Sequence, residues 1–239
     1  MDDKRRVIAF SLWGDNPKYT LGMVENAKLA PVVYPGWEVW VYAGTSVPTQ
    51  IVTQLVDLSA RVIAMPEGGN WKGMFWRFEA MCDTSLDVVI SRDADSRLSM
   101  REQRAVDDFI ESRLPIHIMR DHPWHTAVIL GGMWGIRPLK FPQLGTLLQT
   151  HRHEQGDYWQ TDQQFLARHV YPAIHPALRF VHDEFHRYDG FRARPFPLPR
   201  VGDEFVGSVY DPITNLPDST HASVLRRALL STTGPPTRS

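Results

Sequence analysis

The chain has 239 residues, of which 43% are hydrophobic and 22% charged, and its formal net charge is -1. This is an ordinary globular composition, and the lack of net positive charge argues against nonspecific binding to nucleic acid or to an anionic membrane. The single cysteine, Cys82, excludes an internal disulfide and is typical of a reducing compartment. The sequence shows no apolar run long enough to span a bilayer, so we expect a cytoplasmic protein without a transmembrane segment.

Over the first ninety or so residues, short apolar runs alternate with longer amphipathic segments. Strands are predicted at 6–14, 37–44, 61–66 and 86–91, and helices at 16–35, 47–60 and 69–83. A chain that alternates strands and helices in this way predicts an α/β fold with an open, mainly parallel sheet flanked by helices.

The rest of the chain continues the pattern less regularly. A helix is predicted at 101–113, a strand at 115–121, an apolar segment with a glycine pair at 127–138, and helices at 141–152 and 161–174. Beyond about residue 187 the sequence is rich in Pro, Gly and Arg and has weak periodicity. Because no linker is visible, we expect one domain over 1–230, followed by a disordered tail over 231–239.

The segment "DVVISRDADS" (87–96) places two carboxylates directly after a buried strand. Asp93 and Asp95 are two residues apart, so in extended chain both side chains project to the same side. Ligands of open α/β sheets bind beyond the carboxyl ends of the strands, and two hard oxygen donors there suit Mg²⁺ or Mn²⁺. We expect such an ion to relieve the repulsion between the two carboxylates. The alternative is structural: Asp93 caps a turn and Asp95 caps helix 101–113.

Four segments in a fixed order resemble one enzyme family. They are "MFWRFEAMCDTSLDVVISRDADS" (74–96), "VILGGMWGIR" (128–137), "YWQTDQQFL" (158–166) and "FVHDEFH" (180–186). In this order they resemble the nucleotide-sugar-dependent glycosyltransferases of the GT-A fold with a D-x-D motif, such as lipopolysaccharide glycosyltransferases and their glycogenin-like relatives. The resemblance covers roughly residues 6–186 and depends on the ordered set, because each piece alone is common.

The resemblance implies a metal site and a donor site. It assigns Asp93 and Asp95 to a Mn²⁺ or Mg²⁺ ion that is held against the donor diphosphate, with His182 as a third ligand. It assigns Arg77 to the donor or its phosphates, and Arg92 is a second arginine that could neutralise phosphate charge through forked hydrogen bonds.

The resemblance also implies positions around the nucleotide and the reacting sugar. Four residues match the base, ribose and sugar positions of the family, and two more match an Asp-Gln pair beside the reacting sugar: Ser11, Trp13, Gly131, Gly132, Asp162 and Gln163. Asp162 is the first candidate for a general base, and Asp121 and His125 are the next. The sequence departs from the family at "LGG", where "NAG" is usual, and at "HDEFHRYDGF", which replaces an "HxxGxxKPW"-type ending.

The expected reaction is metal-dependent transfer of a sugar from a nucleotide-diphosphate sugar to a glycan or lipid-linked saccharide. A bound dication acts as a Lewis acid for the charge that develops on the leaving diphosphate. Two alternatives stay open: a sugar-phosphate nucleotidyltransferase or phosphohydrolase, and a non-catalytic protein that binds nucleotide sugars. The sequence leaves open the donor base and sugar, the acceptor, the stereochemical outcome and the formation of a homo-oligomer.

Overall fold

The computed structural model describes residues 5–232. The strands in this part of the chain are β1 Arg6–Leu12, β2 Glu38–Ala43, β3 Arg61–Ala64, β4 Val88–Arg92, β5 Ile116–Arg120, β6 Met133–Ile136, β7 Arg179–Asp183 and β8 Ala193–Arg194. They form one sheet in the order β3-β2-β1-β4-β6-β5-β7-β8. Strand β6 is antiparallel to its neighbours β4 and β5, and the other neighbouring strands are parallel.

Helices cover both faces of this sheet. The α-helices of the described residues are α1 Pro17–Val33, α2 Thr49–Asp57, α3 Met100–Ser112, α4 Leu144–Thr150, α5 Thr161–Phe165, α6 Tyr171–Ala173 and α7 Ser219–Thr232, and a π-helical turn, Leu166–Val170, joins α5 to α6. Short 3₁₀ helices lie at Trp71–Phe78, Ala80–Cys82, Pro138–Lys140, Arg152–Glu154, Pro176–Leu178 and Gly190–Arg192.

Two apolar cores lie on the two faces of the sheet, and strand β1 contributes to both. Ile8 and Phe10 pack into the core shared with α1, α2 and α3. Val7 and Ala9 point the other way, into the core shared with the 3₁₀ segment and α4 to α6. Side chains alternate along a strand, so the apolar run from Val7 to Phe10 is what a strand covered on both faces requires.

The predicted α/β fold with a mainly parallel sheet is confirmed, with two local corrections. Segment 69–83 was predicted to be one helix but forms two 3₁₀ helices. Gly69 lies at φ +96, and a Cβ on either Gly69 or Gly73 would press against the ring of Trp13. The segment therefore follows the shape of that indole, and its aromatic residues are weak α-helix formers.

The second correction concerns the end of the chain. No element was predicted beyond residue 187, yet α7 forms and buries Ala222 and Leu225. Ser231 and Thr232 belong to this helix, so the predicted tail begins inside it, and residues 233–239 lie outside the described part. Among residues 5–232, none of the helices has both the length and the apolar character that crossing a bilayer requires.

Candidate functional site

A cavity of about 470 Å³ opens at the carboxyl edge of β1 and β4. These two strands are parallel neighbours, so the segments that follow Leu12 and Arg92 come together there. The sequence-predicted residues that line the cavity are Ser11, Trp13, Arg77, Asp93, Asp95, Gly131, Gly132, Asp162 and Gln163. This is the edge of an open α/β sheet at which ligands bind.

Arg77 holds the centre of the site together. Its guanidinium is buried, and it donates to Asp93 Oδ1 at 2.5 Å through Nη1 and to Asp162 Oδ2 at 2.9 Å through Nη2. Burial disfavours the charged form, but the two carboxylates outweigh it and raise the Arg77 pKa. The backbone N–H of Arg77 donates to Ser11 Oγ at 3.0 Å, which fixes the 3₁₀ helix against β1. Arg77 thereby sets the distance between the D-x-D segment and Asp162.

The glycine pair allows this cluster to form. A Cβ on Gly131 would overlap Asp162 Oδ2 and lie 2.8 Å from Arg77 Nη2, and a Cβ on Gly132 would overlap the Asp93 carboxylate. Ser91 Oγ donates to the carbonyl of Gly131 at 2.6 Å and holds the backbone in this position. The glycines are therefore needed for close approach of the chain to the acidic side chains.

Asp95 has a cationic partner that the sequence analysis missed. Lys18 Nζ lies 2.9 Å from Asp95 Oδ2. Lys18 lies in the first turn of α1, which follows β1 after a short loop, so its place at the same sheet edge as the aspartates was a usable signal. Asp93 contacts Arg77 and Asp95 contacts Lys18, so protein cations compensate part of the negative charge that the sequence analysis assigned to a metal alone.

The two carboxylates nevertheless fit a divalent cation. Burial and the negative charge of Asp93 raise the Asp95 pKa in spite of Lys18, so negative charge at this corner is incompletely compensated. The Asp93 side chain is 49% exposed and faces the cavity. Mg²⁺ and Mn²⁺ accept one or two carboxylates and complete their coordination with substrate phosphates and water.

Asp162 lies opposite the D-x-D segment on α5. It is 2% exposed, and its Oδ1 accepts the backbone N–H of Gln163 at 2.8 Å. Burial raises the pKa of Asp162, Arg77 opposes the shift, and the charge of Asp93 adds to it. A carboxylate whose pKa is raised toward neutrality is better suited to accept a proton than an exposed one.

Aromatic rings form another wall of the cavity. Trp13 contacts Trp71 and Trp76 edge-on, with ring centroids 6.4 and 6.1 Å apart. Trp159, which is 65% exposed, stands at the rim next to Gln160. Flat apolar surfaces beside a few charged groups are typical of sites that bind a base or a sugar.

Arg92 was expected to contact phosphate, but the structure places it outside the cavity. Its guanidinium is buried, with Nε 2.7 Å from Glu102 Oε1 on α3, and Nη1 donates to the backbone carbonyl of Trp134. Arg92 precedes Asp93, so alternation along the extended chain sends the two side chains to opposite sides.

The next candidate bases, Asp121 and His125, also lie elsewhere. The Asp121 carboxylate is fully buried, paired with Arg101 and Arg200, and accepts the backbone N–H of Val206. His125 Nδ1 accepts the backbone N–H of Asp121 at 3.0 Å, and burial holds its pKa well below the usual value. Both residues stabilise the packing of the C-terminal segment against the end of β5.

His182 was expected to be a third metal ligand, and the sheet order explains why it is not beside the aspartates. It lies on β7, with β6 and β5 between β7 and β4, which by strand spacing is roughly 14 Å. Its Nδ1 is 2.9 Å from His117 Nε2, and the side chain is buried. His182 is part of the packing between β5, β7 and α3.

A mainly parallel open sheet with Asp93 and Asp95 at its carboxyl edge, beside a cavity, is the arrangement that the resemblance to GT-A glycosyltransferases implies. Searches of protein-family models and of curated proteins with this chain find no match. Solved structures do match. A glycosyltransferase involved in the glycosylation of the major capsid of PBCV-1 aligns with a TM-score of 0.51 and 15% identity, over 75% of this chain and 81% of that chain.

Two further structures align less closely. A mannosyltransferase from Pyrobaculum calidifontis, in complex with GDP-Man and Mn²⁺, has a TM-score of 0.43 and 14% identity, over 61% of this chain and 46% of its own. Glucosyl-3-phosphoglycerate synthase from Mycobacterium tuberculosis, in complex with Mn²⁺, UDP and phosphoglyceric acid, has a TM-score of 0.41 and 13% identity, over 63% of this chain and 65% of its own. The alignment with the PBCV-1 glycosyltransferase shows that this chain shares the fold of that protein.

Proposed function

We propose that the protein is a glycosyltransferase that moves a sugar from a nucleotide-diphosphate sugar to a glycan or lipid-linked saccharide, with Mn²⁺ or Mg²⁺ at Asp93 and Asp95. One observation carries this proposal. Arg77 joins Asp93 of the D-x-D segment to Asp162 across a cavity at the carboxyl edge of β1 and β4. The glycosyltransferase fold of the chain supports the same reading, and the lone Cys82 supports a cytoplasmic location.

The charged residues have different roles at the donor diphosphate. A divalent ion at Asp93 and Asp95 would supply Lewis-acid stabilisation of the diphosphate that leaves. The guanidinium of Arg77 is occupied by two carboxylates, so its role is to position them rather than to bind phosphate. Lys18, with a 38% exposed side chain, stands beside Asp95 and can pair with a phosphate oxygen instead.

Asp162 and the aromatic rings of the cavity would hold the nucleotide base, the transferred sugar and the acceptor. Asp162 accepts a hydrogen bond from a hydroxyl at the reacting centre, and its raised pKa suits it to take the acceptor proton. Trp13 and Trp71 form the apolar surface for the nucleotide base. Trp159, at the rim, is placed to stack on the acceptor sugar.

A donor screen followed by turnover tests the proposal. Thermal unfolding with nucleoside diphosphates and Mn²⁺ identifies the base, since a ligand that binds only the folded state raises its stability. Release of nucleoside diphosphate from the matching donor is then measured with and without EDTA. We expect turnover to need the ion and to be lost in Asp95→Asn, whereas Asp57→Asn, which changes an exposed carboxylate of α2, retains it. Full turnover in EDTA and in Asp95→Asn would overturn the proposal.

A further inference from the structure

A second group of metal-ligating side chains lies outside the residues that line the cavity. His151 Nδ1 is 2.8 Å from Glu154 Oε1, and His169 Nε2 is 2.8 Å from Glu154 Oε2. One ligand atom from each of the three residues lies within 4.8 Å of the others. In the part of the chain that the structure describes, no other group of three such side chains meets this distance.

The fold brings these residues together across two separate turns. His151 follows α4 and Glu154 belongs to the 3₁₀ helix after it, whereas His169 lies in the π-helical turn between α5 and α6. The rings of His151 and His169 stack with their centroids 3.5 Å apart. A π-helical turn is rare and is frequent at functional sites, because its wider turn re-aims a side chain. Here it carries the residue that completes the cluster.

The kind of donor distinguishes this cluster from the aspartates of the cavity. Two imidazoles and one carboxylate are the ligand set that Zn²⁺ takes in open, three-ligand sites. Bond lengths of about 2.0–2.2 Å to tetrahedral zinc place neighbouring ligand atoms somewhat over 3 Å apart. The two hydrogen-bonded nitrogen–oxygen pairs, now 2.8 Å apart, therefore open by roughly half an ångström or more, and the stacked rings of His151 and His169 tilt so that both nitrogens face one ion. The rings are partly exposed, so an ion can enter from solvent.

Two exposed groups stand next to the cluster. His153 Nε2 lies 3.8 Å from Glu154 Oε1, and its side chain is 76% exposed, so it can turn in as a fourth ligand. Arg168 Nη1 lies 4.0 Å from Glu154 Oε2 and is 63% exposed. An incoming cation displaces this arginine into solvent at small cost, since exposed ion pairs contribute little.

We propose that His151, Glu154 and His169 bind one Zn²⁺ ion, with His153 or water as the fourth ligand. This site is separate from Asp93 and Asp95, whose oxygen-only donors suit Mn²⁺ or Mg²⁺. The ion links the turn after α4 to the helical segment that follows α5. The chain between Glu154 and His169, residues 155–168, carries Trp159 and Gln160 at the cavity wall. The zinc ion therefore braces the rim of the cavity.

Zinc content measures this directly. The full chain is stripped with a chelator, dialysed against buffered Zn²⁺, and its metal content per chain is determined. We expect one Zn²⁺ per chain in the wild type and also in an Asp93→Asn/Asp95→Asn double variant. Loss of one ligand in Glu154→Gln or His169→Gln weakens binding by more than about a hundredfold, since even removal of a second-shell partner costs roughly 10–100-fold. His175→Gln, which changes an exposed histidine elsewhere, is the matched control.

The other outcomes overturn the proposal. Zinc that is lost in the Asp93/Asp95 double variant but kept in His169→Gln belongs to the cavity. If the wild type binds no zinc, His151, Glu154 and His169 form a hydrogen-bonded cluster that is not a metal site. Co²⁺ loading of the unmodified chain gives a test that needs no variant, because a four-coordinate site with imidazole ligands produces visible absorption bands and an oxygen-only octahedral site is nearly colourless. Circular dichroism of the metal-free variants checks that they fold.

Discussion

Replacement of Gly131 by alanine tests whether the Arg77 cluster has the geometry described. The new Cβ would overlap Asp162 Oδ2 and lie 2.8 Å from Arg77 Nη2. Neither neighbour can move away freely, because Asp162 is 2% exposed and its other oxygen accepts the N–H of Gln163. The Arg77–Asp162 pair must therefore open or shift.

The expected cost follows from these contacts. An extra methyl group in a packed site costs about 1–3 kcal/mol of unfolding free energy. Alanine also lowers the conformational entropy of the unfolded chain relative to glycine, which raises the free energy of unfolding by about 0.4–1 kcal/mol. We expect a net loss of about 1–2 kcal/mol. The effect on turnover is larger in proportion, because displacing catalytic groups by about 1 Å can cost roughly a hundredfold in rate.

Urea unfolding and the kcat/KM of donor turnover give the two readouts. Gly145→Ala is the matched control: it lies in α4, and its Cβ would meet Cys82 Sγ at an ordinary 3.7 Å. Alanine there should stabilise the fold by up to about 1 kcal/mol and leave turnover unchanged. If Gly131→Ala is as stable and as active as the wild type, Asp162 does not lie against the glycine pair and the Arg77 cluster does not have this geometry.

Three further predictions concern charge, pH and the cavity rim. Arg77→Met leaves Asp162 buried without its cation, so urea unfolding should show a loss of about 3–5 kcal/mol; a loss below 1 kcal/mol would contradict the pairing. Burial, with the charges of Arg194 and Arg101, lowers the His182 pKa to about 3. Below pH 6.5, His182 therefore binds a proton in the unfolded chain but stays neutral in the folded chain. The contribution of His182 to the free energy of unfolding is complete above pH 6.5 and falls by about 1.4 kcal/mol per pH unit below it. His182→Gln should therefore reduce the loss of stability between pH 7 and pH 5, measured by urea unfolding, by about 2 kcal/mol; an unchanged loss would refute this. Trp159→Ala should raise the acceptor KM roughly two- to tenfold with the unfolding midpoint unchanged; an unchanged KM removes it from the acceptor site.

The sequence predicts best those features that depend on local pattern. The apolar run ending at Arg92 identifies β4, and the position of Asp93 after it follows from strand alternation and sheet polarity alone. The resemblance placed the glycine pair beside the sugar. Its reason, contact with the carboxylates of Asp93 and Asp162, comes only from the arrangement of three distant segments.

Features that depend on strand order and long-range pairing could not be predicted in this way. His182 and Asp121 are polar residues at strand ends, like Asp93, but β7 lies too far from β4 and Asp121 is sealed by two arginines. Helix α7 has a weak periodicity, and burial of Leu225 against the domain decides its formation. Lys18 is the exception, since its place after β1 was sufficient to predict proximity to Asp95.

Calorimetric binding of the nucleoside diphosphate selected by the thermal screen tests the central claim most directly. We expect the wild type to bind it with Mn²⁺ and to lose roughly tenfold or more in affinity in EDTA, and Asp93→Asn/Asp95→Asn to bind equally weakly in both conditions. Equal affinity in Mn²⁺ and EDTA for the wild type, or undiminished Mn²⁺-dependent binding in the double variant, would contradict it.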